Sequence, residues 1–244
     1  MTSNNNVGDS ISANRGSWSF NEIKHNNFQE HVLKSVPGYS KGHDYITFLS
    51  DYFISSGSTV YDIGCSTGSL ISKLSNYHKN KKGVSFIGIE PSKGFKAEFI
   101  KNTSSLPIKN HSYEFIESLV EDTELRESDL FISYYTLQFI HPRVRQLIVD
   151  KIYNSLHWGG GFFLFEKVRG IDARFHEMIN LAYLEYKQSV GYSDEEIISK
   201  MFSLKGVLEP FSSNENRNFL KRAGFKDIST ISKDLCFEGI LAIK

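Results

Sequence analysis

A chain of 244 residues is long enough for one large domain with an insertion, and its 40% apolar and 23% charged residues exclude a disordered or fibrous protein. Lys plus Arg number 28, as do Asp plus Glu, so no net field draws the whole chain to nucleic acid or anionic lipid. Cys65 and Cys236 match no metal-ligand spacing and read as free thiols, and with no apolar run near a membrane span and no targeting pattern a cytoplasmic protein is expected.

Residues 1–16 are rich in Asn, Ser and Gly, which predicts a mobile tail. Residues 17–56 predict a helical extension. Trp18, Phe20, Phe28, Val32 and Leu33 anchor its first part up to Pro37-Gly38, and Tyr45, Phe48, Leu49 and Tyr52 recur at helical spacing over 41–55. Strand-like runs follow at STVYDIG, VSFIGIE, YEFIESLV, DLFISYYTL and GGFFLFEKV, with helices expected at 67–78, 92–103 and 142–156. This alternation predicts βαβ units and a parallel sheet. Residues 170–205 predict a helical insertion, two helices parted by Gly191-Tyr192-Ser193, whose serine is a ready N-cap. A helix at 214–223 precedes DISTISK and FEGILAIK, whose short link predicts an antiparallel hairpin at the sheet edge. One α/β domain over 17–244 is expected.

The stretch TVYDIGCSTGSL at 59–70 carries the chemistry. A dinucleotide fingerprint needs Gly-x-Gly-x-x-Gly, and here Ser66 stands where the second glycine belongs. A phosphate loop would need Gly-Lys-Ser/Thr, which does not follow. Gly64 permits a sharp turn and Gly68 a close ligand approach to the helix start. Glu90, ending IGIE 22 residues after Gly68, offers a carboxylate to two ribose hydroxyls.

The glycine turn, the strand-end acid and the C-terminal hairpin resemble class I S-adenosylmethionine-dependent methyltransferases, whose fold is a Rossmann-like seven-stranded sheet. KSVPGYS, VYDIGCSTG, YTLQFIHP, LIVDKIYNSLHWGG, FEK and GYSDEEIISK, in this order, are similar to the bacterial carboxy-S-adenosylmethionine synthases, long described as tRNA wobble-uridine methyltransferases. The resemblance runs from Trp18 to the C-terminus. It implies S-adenosylmethionine as cofactor, with S-adenosylhomocysteine or carboxy-S-adenosylmethionine as other bound forms. It also implies a homodimer that converts S-adenosylmethionine and prephenate into carboxy-S-adenosylmethionine, which a partner enzyme uses on tRNA. Asp62 and Gly64 then lie at the methionine end and Glu90 at the ribose. Tyr39, Cys65, Ser66, Gly68, Pro91, Leu119, Val120 and Tyr134 belong to the same site.

Several positions depart from that family. Glu90 replaces an aspartate, Leu119 another aspartate near the adenine edge, and Tyr134 an asparagine. Lys200-Met201 stands where the family has Lys-Arg, and that arginine grips the carboxylate added to the cofactor. A guanidinium offers a charged, bidentate fork, and a thioether neither charge nor donor. Lys200, Arg145, Arg169 and Arg174 are the other available cations. The expected reaction is therefore methyl transfer to a small-molecule acceptor. Carboxy-S-adenosylmethionine synthesis is the alternative, and a non-catalytic cofactor-binding subunit the third reading.

Candidate catalytic groups are Glu166 at the end of its strand, His141 after the fourth strand, Tyr134 near the sulfonium, and His31 or His176 on surrounding helices. Glu166 is equally suited to pairing with Lys167. Trp18, Phe20, Phe28, Phe175, Tyr183, Tyr186 and Tyr192 either roof a pocket or simply pack helices on the sheet. No metal site and no membrane contact are expected. A flat basic face for tRNA is not evident, although KHNNFQEHVLK and KNKKG carry local positive charge.

Overall fold

A computed structural model describes residues 5–20, 25–106 and 109–244. The first four residues of the expected tail and residues 21–24 of the extension lie outside the described residues. Seven strands form one sheet: β3 (Thr59–Ile63), β4 (Ser85–Ile89), β5 (Ser112–Ile116), β6 (Ser128–Tyr134), β7 (Leu156–Lys167), β8 (Asp227–Asp234) and β9 (Phe237–Ile243). Their order is β5-β4-β3-β6-β7-β9-β8. The first five are parallel, and β9 runs antiparallel between β7 and the edge strand β8. The helices α3 (Ser69–Tyr77), α4 (Lys96–Ser104), α5 (Pro142–Ser155) and α8 (Ser213–Ala223) are the crossovers.

Burial on both faces explains why the strands are nearly continuous apolar runs. Successive side chains on a strand point to opposite faces. Tyr61, Phe131, Phe162 and Leu164 accordingly belong to one core with α5 and α8, while Val60, Ile132, Phe163 and Phe165 belong to another with α3. Because β4 lies on one side of β3 and β6 on the other, chain order reverses there. A crevice opens at such a point, beyond the carboxyl ends of the strands.

The extension provides α1 (His25–Ser35) and α2 (Tyr39–Leu49), and the insertion provides α6 (Ala173–Ser189) and α7 (Asp194–Ser203). Asp172 caps α6, and Ser193 with Glu196 forms the capping box of α7. Two features differ in detail from the pattern read along the chain. The composition of 1–16 predicts a mobile tail, yet residues 5–16 form the two-stranded ribbon β1 (Asn5–Asn6) and β2 (Ser12–Ala13). Val7, Ile11 and Ala13 of that segment pack with Trp18, Phe28 and Phe95. Three apolar side chains among the polar ones suffice to anchor it. In α2 the buried face is Gly42, His43, Ile46 and Thr47; of the expected apolar positions Leu49 packs on the core and Tyr45 is half-buried, while Phe48, and Tyr52 just beyond the helix, are exposed. Among the described residues, no helix is long and apolar enough to cross a membrane.

Candidate functional site

A cavity of about 500 Å³ occupies the crevice, within the range of small-molecule sites. Its inner end is made by the turn after β3. Gly64 and Gly68 have φ of 74° and 71°, and Ser66 sits at φ 47°, which a residue with a Cβ seldom adopts. The strain is held by Glu90, whose Oε2 accepts from the Ser66 N–H at 3.2 Å and whose Oε1 accepts from the Ser92 N–H at 2.9 Å. A Cβ on Gly64 would stand 2.2 Å from Thr136 Oγ1, so only glycine fits there.

Asp62 is 3% exposed, and burial, with Glu90 nearby, pushes its carboxyl up to about 7. Burial also raises Glu90. Two carboxylates at the edge of a largely apolar cavity form a place for a cation flanked by hydroxyl donors. Tyr39, Cys65, Pro91, Leu119 and Val120 line the same end. Gly68 does not line the cavity. A Cβ there would meet the Phe99 ring at 2.6 Å, so this glycine serves close packing and the left-handed turn rather than ligand approach.

The outer lobe is walled by α1, α6, α7 and Trp18, and it carries cations. Lys187 and Lys200 are 6% and 8% exposed, and burial lowers both, Lys187 to about 8. Lys187 Nζ donates to Ser35 Oγ at 3.1 Å and lies 4.2 Å from the Tyr192 ring centre, while Lys200 Nζ lies against the Trp18 ring. Lys167 Nζ lies 4.4 Å from the Tyr183 ring centre, and burial lowers it too. The acid behind this lobe is Asp9, engaged by His31 Nδ1 at 2.7 Å, by Lys34 at 3.2 Å and by the Tyr192 hydroxyl.

The catalytic candidates fare unevenly. Glu166 is buried but does not line the cavity. Its Oε1 is buried without a partner among the described residues, and burial raises the carboxyl to about 8. Lys167, the next residue on β7, lies on the cavity side, so the alternation of a strand separates the expected pair and no ion pair joins them among the described residues. Tyr134 lines the cavity, but its hydroxyl donates to the Tyr39 carbonyl, so it orders the floor rather than offering a free base. His141 lines the rim and caps α5, its Nδ1 accepting from the Arg143 N–H. His31 lines the cavity and is driven down to about 4 by burial. His176 Nδ1 accepts from the Gly170 N–H, away from the cavity. Trp18, Phe20, Phe28 and Tyr183 do roof the pocket. Tyr192 closes the Asp9–His31 network behind it, Phe175 is exposed, and Tyr186 lies outside.

No family model matches the chain. Carboxy-S-adenosyl-L-methionine synthase of Staphylococcus epidermidis is 37% identical over 228 residues, covering 93% of this chain and 97% of the relative. The protein of the same name from Campylobacter lari is 35% identical, covering 89% and 90%. The chain belongs to the carboxy-S-adenosyl-L-methionine synthase family. Among solved structures, an S-adenosylmethionine-dependent methyltransferase of Methanosarcina mazei is 16% identical with a TM-score of 0.59, covering 81% of this chain and 96% of the other. Human N-acetylserotonin methyltransferase is 18% identical with a TM-score of 0.58, covering 90% and 55%. Both share the fold, a class I methyltransferase sheet.

Family motifs gave no sign of Lys187 or Asp9, and Lys167 and Tyr135, although inside FEK and YTLQFIHP, were not marked as lining the cavity. Lys187 follows Tyr183 and Leu184 on the apolar face of α6, and a lysine on such a face is the signal that could have found it. Tyr135 has φ 60° and its N–H donates to the Phe165 carbonyl at 2.8 Å, a left-handed tyrosine that sequence does not announce.

Proposed function

We propose that this enzyme makes carboxy-S-adenosyl-L-methionine from S-adenosyl-L-methionine and prephenate. The supporting observation is kinship at 37% identity over 97% of a relative of that name, which includes the extension and the insertion that wall the outer lobe. This departs from plain methyl transfer, the reaction favoured by Met201 alone. Met201 lines the cavity at its mouth, 58% exposed, and it remains the one observation supporting methyl transfer as the second reading. The arginines are no replacement: Arg145 is committed to the carbonyls of Ile140, Glu209 and Gln138 at 2.8, 2.8 and 3.1 Å, and Arg169 and Arg174 lie outside the cavity.

The residues present fit the cofactor. Asp62, with its carboxyl near 7, is poised to ionise fully once a cation reaches it, which suits the ammonium and sulfonium of the methionine end. Glu90 holds the turn and retains lone pairs for ribose hydroxyls. When bound, S-adenosylmethionine supplies an activated methyl group next to a cationic sulfur. The chain binds, orients and excludes water: Tyr39, Tyr134 and Tyr135 present aromatic faces, with Tyr39 and Tyr134 4.9 Å apart and edge-on. Proximity is the main contribution expected of such a site.

The same reading takes the protein as a cytoplasmic homodimer with small-molecule substrates and no tRNA contact of its own, its product passing to a separate tRNA-modifying enzyme. Incubation with S-adenosylmethionine and prephenate, followed by mass spectrometry, tests it. A carboxylated cofactor is expected; S-adenosylhomocysteine formation with a methylated acceptor, and no carboxylated cofactor, would refute it.

A further inference from the structure

The far lobe of the cavity is built to hold an anion. Lys187 reaches it from α6 and Lys200 from α7, and their ammonium groups are buried rather than snorkelling to water. Buried charges are ordinarily paired, because desolvation costs several kcal/mol otherwise. Among the described residues neither lysine has an ion-pair partner, and they meet Ser35 Oγ and the Trp18, Tyr183 and Tyr192 rings. Asp9, behind the lobe, is within ion-pair distance of His31 and Lys34, and its charge reaches Lys187 and Lys200 only through space.

A second, independent observation points the same way. Trp18 is 6% exposed, and its Nε1–H is buried without an acceptor among the described residues. Trp18 lines the cavity and carries the Lys200 ammonium on its ring. Two buried lysine head groups and an unsatisfied indole N–H bring several donors and no paired acid to one lobe, an arrangement suited to an anionic acceptor.

We propose that Lys187, Lys200 and the Trp18 indole N–H form a carboxylate subsite in the far lobe, inward of Met201. The inference rests on the reading of the chain as a carboxy-S-adenosyl-L-methionine synthase, and it moves carboxylate recognition one residue back along α7 and inward from the mouth. The carboxylate has two sources, the group added to the cofactor or one belonging to prephenate. An ammonium pair is a less directional grip than a guanidinium fork, so selectivity comes from the lobe's apolar walls.

Isothermal titration of the intact protein and its Lys187→Met, Lys200→Met and Trp18→Phe variants with three probes tests this: S-adenosylmethionine, carboxy-S-adenosylmethionine and prephenate. Each lysine variant is expected to lose at least about tenfold in affinity for one carboxylate probe, the range of a charged hydrogen bond, and Trp18→Phe a smaller amount. Affinity for plain S-adenosylmethionine stays within about twofold, the scatter expected where no contact is lost. Loss on carboxy-S-adenosylmethionine assigns the subsite to the cofactor's carboxylate, and loss on prephenate assigns it to the second substrate; either supports the proposal. Unchanged affinities for both carboxylates, or equal losses on all three probes, overturn it. Unfolding is monitored in parallel, since removing a buried charge should leave the melting temperature equal or higher. A parent that binds prephenate through these lysines yet makes no carboxylated cofactor keeps the subsite and refutes the reaction.

Discussion

Asp62→Asn is expected to stabilise the ligand-free protein and to weaken cofactor binding, two effects of opposite sign from one atom change. Asp62 is 3% exposed, and its carboxyl rises from an ordinary 3.8 to about 7, with burial the larger cause and Glu90 the smaller. A group whose pKa is raised on folding binds more protons folded than unfolded across that interval, so stability falls as pH rises through it. At roughly 1.36 kcal/mol per unit, the ionised aspartate costs the folded chain about 4 kcal/mol at pH 8. An asparagine, of nearly equal shape and no charge, escapes that cost. The gain should be near zero at pH 4, grow between pH 4 and 7, and be flat above 7. At about 2–4 °C per kcal/mol for a chain of this size, the melting temperature at pH 8 should rise by about 10 °C. Saturating S-adenosylmethionine reverses the order, because ligand that binds only the folded parent stabilises it in proportion to the logarithm of its saturation. Calorimetry at pH 4.5 and 8, with and without cofactor, reads all of this. A variant that is less stable than the parent at pH 8, or binds cofactor equally well, would refute the assignment of Asp62 as a destabilised, cation-binding carboxylate.

Gly64→Ala forces a Cβ to 2.2 Å from Thr136 Oγ1 at a positive φ, so cofactor affinity should collapse and the melting temperature fall, by at least about 1–2 kcal/mol worth from the backbone alone. Tyr134→Phe leaves the buried Tyr39 carbonyl without its donor; a loss of about 1–3 kcal/mol of stability with kcat largely kept is expected, whereas a lost limb in the pH–rate profile would restore Tyr134 as an acid–base group. Affinity for the carboxylate ligand should fall above pH 8 as Lys187 loses its proton. The groups facing it (Lys200, Lys167, Asp9, His31, Tyr183 and Tyr192) leave that sign unchanged, and titration of Lys187→Met should lack this break. Glu166→Gln should leave kcat/KM unchanged and give a stability gain that grows from pH 4.5 to about 8 and is flat above; a large activity loss would return Glu166 to the catalytic candidates.

The sheet was legible because its signals are local. Five apolar runs alternating with helices dictate β3 to β7, and a two-residue link dictates the β8–β9 hairpin. The candidate cofactor end was legible for the same reason, since Asp62, Gly64, Cys65 and Ser66 fall within five residues and Glu90 directly follows the neighbouring strand β4. What misled were inferences that needed the third dimension. Glu166 sits at the right end of the right strand but on its far face, a matter of one residue of phase. Gly68 is required by Phe99, 31 positions onward, rather than by a ligand.

Met201 shows why a substitution at a family's signature position does not by itself settle a reaction. Read along the chain, it removes the only charge assigned to the added carboxylate. In the folded chain the carboxylate's surroundings come from three separate segments, Trp18, the end of α6 and the middle of α7, none of which reveals its partner to the others in sequence. Lys187 and Lys200 lie 13 residues apart across the Gly191 turn, and the capping box at Ser193 fixes where α7 begins and hence which of its residues face inward. That geometry puts Lys200 inside and Met201 at the rim. An anionic ligand would relieve the desolvation of both ammonium groups at once, so the lobe is more stable occupied than empty. A lobe that held only a neutral methyl acceptor would leave two buried lysines uncompensated, and apolar side chains of similar volume there would stabilise the chain. Their presence, buried and without an ion-pair partner among the described residues, is the physical argument for a carboxylate in this cavity.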